Sequence, residues 1–278
     1  MSTLPQTIAP TAAIEQLRAD WDREHIQDIQ YLPGGYSNAN YVFTYLQDRF
    51  VLRIPFWRQP FTDYAEEANW YHKLRSQDDL IGPTPIAIDE NTGCMITPWV
   101  EGELLIDYAQ DTDPASLIDE LATYLTNLHR HMPRSNRHYQ LNALTQIYVP
   151  ESTFTATPTR AVQTCHNDLN PWNVIVNSQG WHTLDWEVVG QHDPLFDLVN
   201  LHQGLGLPDE LLENFVRAYA PALVDDEHRL AVNLRNYWIR EWAWATYQIE
   251  HGNDRPEILE QASDSAQRLA QLESSPCP

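Results

Sequence analysis

The stretch Cys165-His-Asn-Asp-Leu-Asn-Pro-Trp-Asn-Val-Ile-Val176 constrains this chain more than any other. His166, Asp168 and Asn173 stand in an H-x-D-x-x-x-x-N pattern that runs straight into the apolar triplet Val174-Ile-Val176, a short strand. Seventeen residues after Asp168 comes Asp185, at the end of the next short strand, Thr183-Leu184, followed by Trp186 and Glu187. Two strands joined by a short loop bring the three polar side chains to one end of a hairpin. Phosphoryl transfer asks for such a set. One carboxylate takes the proton of the attacking hydroxyl, while an Asn amide and a second carboxylate hold Mg²⁺ against the nucleotide phosphates. Taken alone, the pattern also reads as a polar loop whose side chains cap turns. The placement of Asp185 downstream weighs against that reading.

The rest of the chain divides by character. Residues 12–30 read as a short polar helix, and the segment Tyr31-Leu-Pro-Gly-Gly-Tyr-Ser-Asn-Ala-Asn40 is dense in turn formers. Tyr41–Tyr45 and Phe50–Ile54 are rich in aromatic and β-branched residues and predict a hairpin, with Gln47-Asp48-Arg49 between its strands. A helix is expected over 63–76, and two more strands at 85–88 and 94–97 around an Asn91-Thr-Gly93 turn. Beyond about residue 98 the periodicity turns helical. Leu117, Leu121, Leu125 and Leu128 share a face, and 209–220 and 228–250 read as helices. The expectation is an α+β chain: a small antiparallel-sheet N-lobe over 1–97 and a mostly helical C-lobe over 98–278.

Charge excludes some partners. With 39 Asp and Glu against 17 Lys and Arg, the net charge of −22 disfavours nucleic acid and anionic membrane surfaces. It favours a cationic substrate, although solubility alone also accounts for it. Cys94, Cys165 and Cys277 are widely spaced, with no metal-ligand pattern, which suits reduced thiols in the cytoplasm. No basic segment followed by an apolar run opens the chain, and no apolar stretch approaches the roughly 20 residues of a membrane span.

Five stretches, in order, resemble the aminoglycoside phosphotransferase and choline kinase superfamily over roughly residues 30–250. They are Gly34-Gly-Tyr-Ser-Asn38, Val51-Leu-Arg-Ile-Pro55, Leu121–His129, His166–Asn173, and Asp185-Trp-Glu187 with Gly190, Asp193-Pro194 and Asp197-Leu198. The resemblance implies a two-lobed protein-kinase-like fold with a nucleotide-binding N-lobe and a catalytic, substrate-binding C-lobe. It also implies ATP- and Mg²⁺-dependent transfer to a hydroxyl of a small molecule. Asp168 would be the catalytic base, and Asn173 and Asp185 the magnesium ligands. Gly34, Gly35 and Ser37 would lie over the phosphates, where glycine lets backbone N–H groups approach. Arg53 would contact the α- and β-phosphates and be held by Glu67, with Glu66 as the adjacent alternative. Trp99, in the segment Thr97-Pro-Trp-Val-Glu101, would lie in a hinge whose backbone meets adenine. Where many members carry lysine this chain has Arg53, which is always charged and binds phosphate oxygens in a fork.

Three features direct the acceptor towards choline or ethanolamine. The His166-Asn-Asp168 form of the loop is similar to that of choline and ethanolamine kinases. Glu187 places a second carboxylate beside Asp185. The helix Tyr237-Trp-Ile-Arg-Glu-Trp-Ala-Trp-Ala-Thr-Tyr247 is crowded with rings that suit a quaternary ammonium group. Trp238 and Trp242 share a helix face and Trp244 lies on another, so the three do not line one pocket equally. Core packing is the competing explanation for all of them. An aminoglycoside, thiamine or other small-alcohol kinase, and a non-catalytic nucleotide-binding protein, remain alternatives. A protein kinase is disfavoured because only about a dozen residues separate Asp185 from Asp197. The chain is expected to act as a monomer or homodimer.

Overall fold

The computed structural model describes residues 8–56, 58–59, 61–76, 81–160, 162–224 and 226–274. In chain order its elements are α1 (Pro10–Leu17), β1 (Ile26–Leu32), β2 (Asn38–Tyr45), β3 (Asp48–Pro55), α2 (Tyr64–Arg75), β4 (Ala87–Ile88), β5 (Met95–Pro98), β6 (Glu103–Leu104) and α3 (Leu105–Tyr108). They continue with α4 (Pro114–His131), α5 (Leu141–Tyr148), β7 (Gln163–Cys165), β8 (Val174–Asn177), β9 (Gly180–Thr183), β10 (Gly190–His192), α6 (Pro194–Gly204), α7 (Glu210–Tyr219), α8 (Glu227–Glu250) and α9 (Pro256–Ser274). The chain forms two compact units. The first is Met1–Tyr108 with His131–Pro133 and Trp172–Val188, and the second is Ala109–Arg130 with Arg134–Pro171 and Val189–Pro278. The first unit therefore takes in the β8–β9 hairpin and Asp185, which a single cut after residue 97 leaves in the second.

The first unit is built on an antiparallel sheet in the order β1-β2-β3-β5-β4. Ala39, Phe43, Leu52, Ile54 and Ile96 form its apolar face, and α1 covers that face with Ala13 and Ile14. The expected helix over 12–30 is corrected. α1 ends at Leu17, and 26–32 form the edge strand β1. The cause is local. Ile26, Ile29 and Leu32 are the less exposed positions of β1, a spacing of three that mimics a helix. A bulge between Gln27 and Gln30, with Asp28 at φ 53°, shifts the alternation by one residue and produces that spacing in a strand.

The β2–β3 hairpin is tighter than expected. Tyr45 pairs with Asp48, leaving a two-residue turn with Leu46 at φ 58°. The helix expected over 63–76 is α2, capped by Asp63, whose carboxylate accepts from the N–H groups of Ala65 and Glu66. A second, three-stranded sheet runs β6-β8-β9.

The second unit is helical apart from the β7–β10 pair. Leu117, Leu121, Leu125 and Leu128 are buried along α4, as their spacing predicts. The helices expected at 209–220 and 228–250 are α7 and α8. Helices α5, α6 and α9 were not among the expectations. Asp193 caps α6 through the Leu195 N–H and holds Arg229 of α8 in a two-point ion pair at 2.6 and 2.9 Å. Cys94 and Cys165 are free thiols, and Cys277 lies outside the described residues. Among the described residues no helix is long and apolar enough to cross a membrane.

His192 ends β10 inside this unit, 5% exposed, against the rings of Tyr139 and Phe196. Burial pushes its pKa down to about 4 despite the opposing pull of Asp197 and Asp193. The folded chain therefore keeps His192 neutral where the unfolded chain protonates it near pH 6.5. Its contribution is complete above pH 6.5 and is lost as the pH falls towards 4. Urea unfolding should show a loss of roughly 3 kcal/mol from this residue across that window. In His192→Leu the fall between pH 6.5 and 4 should be correspondingly shallower, and an unchanged slope would refute the assignment.

Candidate active site

In the first unit, the turn that joins β1 to β2 carries Gly34, Gly35 and Ser37. Gly34 adopts φ 117°, and a Cβ on Gly35 would stand 2.2 Å from the Asn38 carbonyl oxygen, so no other residue fits there. The Ser37 hydroxyl oxygen accepts from Gln59 Nε2 at 2.9 Å. Ser37 keeps its own O–H proton for another acceptor in that arrangement. Gln59 is 3% exposed and carried no sequence signal.

Arg53 on β3 points its guanidinium at α2. Nη1 and Nη2 donate to Glu67 Oε1 and Oε2 at 2.7 and 2.6 Å, and Nε and Nη2 reach the Gly93 carbonyl at 3.4 and 3.2 Å. Glu67 is buried and Glu66 is exposed, so Glu67 is the partner of the arginine. Burial works against the charged guanidinium, but the carboxylates of Glu67 and Asp185 outweigh it and raise the Arg53 pKa. Burial, reinforced by Glu67, lifts the neighbouring Tyr71 phenol well above its ordinary value.

Asp185 sits 3.7 Å from Arg53 Nη1. It follows β9 in a left-handed conformation, φ 60°. Three contacts fix that position. Thr183 donates its N–H to the Ile81 carbonyl at 2.8 Å, and Leu184 donates to the Asn173 carbonyl at 2.8 Å. Trp186 is fully buried against Trp70 of α2, ring centres 5.6 Å apart. Gly82 permits the first contact, since a Cβ there would lie 2.0 Å from the Thr183 oxygen. Asn173 and Asp185 thus share one backbone junction. Glu187 is half-buried, and its charge raises the Tyr64 pKa behind the larger effect of burial. Trp99 donates its backbone N–H to the Arg49 carbonyl at 2.9 Å, and its ring lies under the Arg49 guanidinium at 4.4 Å. Its indole is thus engaged on β3.

The second unit holds Asp168. Asp197 of α6 accepts the N–H groups of His166 and Asn167, each at 2.7 Å, and also bonds His129 Nε2 at 2.9 Å. Asn167 takes φ 68°, held by its side-chain amide on the Cys165 and Gly190 carbonyls. His166 is buried, and its Nδ1 accepts from the Asp168 N–H at 3.3 Å, as a loop organiser does. His129, Cys165 and Asp197 bring one ligand atom each within 4.8 Å of one another. His129 is already spent on Asp197 and the Tyr219 hydroxyl, and Asp197 on the loop N–H groups, so the trio is packing around the loop. Burial would raise the Asp197 pKa, but His129 and the loop donors outweigh it and keep the carboxyl low.

Asp168 is about one-third exposed and meets Arg240 Nη1 at 3.1 Å. Sequence reasoning counted position 240 only as part of the aromatic helix. Trp238, Trp242 and Trp244 are all half-buried along α8. Trp238 packs on Tyr237 at 4.9 Å and under Arg268 of α9 at 5.8 Å, while Trp242 meets the Phe154 ring at 4.8 Å. The two that share a helix face therefore have different neighbours. The first unit thus brings Arg53, Glu67, Asn173 and Asp185 together, and the second supplies Asp168 and the three tryptophans.

The profile of the phosphotransferase enzyme family matches residues 28–146 and 140–232. Protein LicA of Haemophilus influenzae is 21% identical over 267 residues, which span 85% of this chain and 78% of that protein. A choline/ethanolamine kinase family protein from Mesorhizobium loti superposes with a TM-score of 0.72 at 21% identity, covering 95% of this chain and 94% of the other. Choline kinase LicA from Streptococcus pneumoniae superposes with a TM-score of 0.73 at 16% identity, covering 94% and 98%. The fold is that of these kinases, and the chain belongs to the phosphotransferase enzyme family.

Proposed function

We propose that this phosphotransferase moves the γ-phosphoryl group of ATP to the hydroxyl of a small cationic alcohol, choline or ethanolamine. The observation that carries the reading is the buried fork of Arg53 on Glu67, which holds a permanent cation 3.7 Å from Asp185. A fixed guanidinium beside a carboxylate suits the negative charge of nucleotide phosphates. Gly34, Gly35 and Ser37 then cover the phosphates, and the hinge around Trp99 meets adenine.

Asn173 and Asp185 present an amide oxygen and a carboxylate, hard donors that fit Mg²⁺, and the Leu184–Asn173 hydrogen bond keeps the two residues adjacent. When bound, the ion neutralises charge on the phosphates. In the transfer, the acceptor oxygen forms its bond to the γ-phosphorus while the bond from that phosphorus to the bridging oxygen breaks. ADP leaves with the electron pair. The acceptor's proton passes to the Asp168 carboxylate.

Support for a cationic acceptor comes from the net charge of −22, from Glu187, and from the tryptophans of α8. Trp244 is the first choice for a ring against the ammonium group, with Trp238 and Trp242 after it. The structural relatives whose names include choline and ethanolamine kinases support the same class.

ADP release with MgATP should be measured against choline, ethanolamine, thiamine, several aminoglycosides and simple sugars. Turnover is expected with choline or ethanolamine, and Asp168→Asn should lower kcat by about 10²- to 10⁴-fold with little change in MgATP binding. Turnover confined to aminoglycosides or thiamine would replace the acceptor. ATP binding without turnover on any acceptor would make the chain a non-catalytic nucleotide binder.

Glu67→Gln should weaken a charge-assisted bond worth about 1.5–3 kcal/mol and raise the MgATP KM roughly tenfold to a hundredfold. Glu66→Gln, at an exposed position, should leave that KM unchanged. Equal effects of the two variants would remove Glu67 from its role.

A further inference from the structure

α8 is unusual in what it buries. Asn233, Asn236, Arg240 and Gln248 are buried on it, while its tryptophans stay half-exposed. Arg240 is the charged member, 7% exposed, and each of its guanidinium nitrogens has a partner. Nε donates to Glu241 Oε1 at 2.8 Å. Nη2 donates to Asn200 Oδ1 at 2.6 Å and lies 2.5 Å from Glu241 Oε1. Nη1 donates to the Asn167 carbonyl at 2.6 Å and to Asp168 Oδ1 at 3.1 Å.

The partners are themselves held. Asn200 donates its amide to the Phe196 carbonyl at 2.6 Å, which turns its oxygen towards the arginine. Glu241 Oε2 accepts from Gln261 of α9 at 2.5 Å. The Phe196 and Tyr237 rings lie 5.5 and 5.4 Å from the guanidinium carbon. Two nitrogens are therefore spent on anchoring the group, and the third reaches the loop at Asn167 and Asp168.

We propose that Arg240 is the positioning residue of the transfer base: anchored by Glu241 and Asn200, it fixes the backbone at Asn167 and the rotation of the Asp168 carboxylate. This rests on Asp168 being the base. The arginine's charge is shared between two carboxylates, Glu241 and Asp168, so its contribution is geometry. A carboxylate held over a wider range of angles would present its lone pair to the acceptor hydroxyl less often, which lowers kcat without changing substrate affinity. Lysine does not replace it, because one ammonium lacks the planar fork that spans Asn200, Glu241 and Asp168 together.

A staple that only stabilises the fold would lower the melting temperature and leave turnover intact below it. Two variants separate the cases. Arg240→Met removes the fork, and Arg240→Met with Glu241→Met also removes the buried carboxylate that would lose its counter-charge, which favours folding of the site. Both are assayed where circular dichroism reports the native state, with choline and MgATP and with water as the only acceptor.

The expected result is a kcat lower by about 10²-fold, with the KM values for MgATP and choline within about threefold of wild type. Adding Asp168→Asn to Arg240→Met should cost no more than Asp168→Asn alone, because the arginine acts through that carboxylate. A wild-type kcat in the paired variant, or losses that multiply in the combination with Asp168→Asn, would overturn the proposal. Wild-type protein that releases no ADP with any acceptor would overturn the transfer reading and this proposal with it.

Discussion

The second unit is organised around one buried carboxylate. Asp197 accepts two backbone N–H groups from the loop before Asp168 and a ring nitrogen from α4. Hydrogen bonds to an ionised acceptor contribute about 1.5–3 kcal/mol each, and a donor left unmade in a buried loop costs as much. His166 and Asn167 are fully buried, so no solvent is available to replace those contacts. Asp197, together with the Asn167 side-chain amide on the Cys165 and Gly190 carbonyls, holds Asn167 in its left-handed conformation, with the Asn167 carbonyl accepting from Arg240. The loop's shape follows from where α6 begins, and Asp193 sets that point as its cap.

Among the described residues each unit also buries one arginine, and the two are built alike. Arg53 forks onto Glu67 and faces Asp185; Arg240 grips Glu241 and Asn200 and faces Asp168. A buried ion pair is a poor source of stability, because desolvation offsets most of the attraction. It is a good source of position, because breaking it leaves an uncompensated buried charge. In both places the firmly paired part of the guanidinium is buried and the less buried partner is an aspartate. That arrangement spends stability on holding a carboxylate at a defined angle.

Much of this was legible in the sequence, and the failures have physical causes. The leucine spacing of α4 and the polar pattern of the Asp168 loop are read at fixed short intervals, so local chemistry settles them. The choice of Glu67 over Glu66 turns on one residue of helical phase, about 100°, and only the packing of α2 decides which carboxylate is buried. The strand β1 escaped because its bulge gave it a spacing of three. Trp186 reads as a neighbour of two acidic residues, yet it is the buried anchor that seats them. Arg240 was invisible for a different reason. Its partners Asn167, Asp168 and Asn200 lie 40 to 73 residues away, and nothing in the helix itself marks a buried cation.

α8, read from the sequence as a helix crowded with aromatic rings, also buries polar residues. An amphipathic helix hides apolar residues and exposes polar ones. Here Asn236 faces inward to exchange hydrogen bonds with the backbone of Thr157 at 2.8 and 2.9 Å, and Gln248 accepts from Asn253 at 3.1 Å. The Asn236 pair registers the helix against Thr157, and Arg240 registers it against the Asp168 loop, where purely apolar contacts would leave it free to slide. These polar residues share the buried face with Tyr237, Ile239, Ala243 and Ala245, while the tryptophans stay half-buried. Trp242 meets Phe154 in a T-shaped contact. A half-buried indole gives a large, rigid apolar surface at little entropic cost. The polar residues buried on α8 therefore accompany two features of one helix: Arg240 bonded to the Asp168 loop, and tryptophans left half-buried.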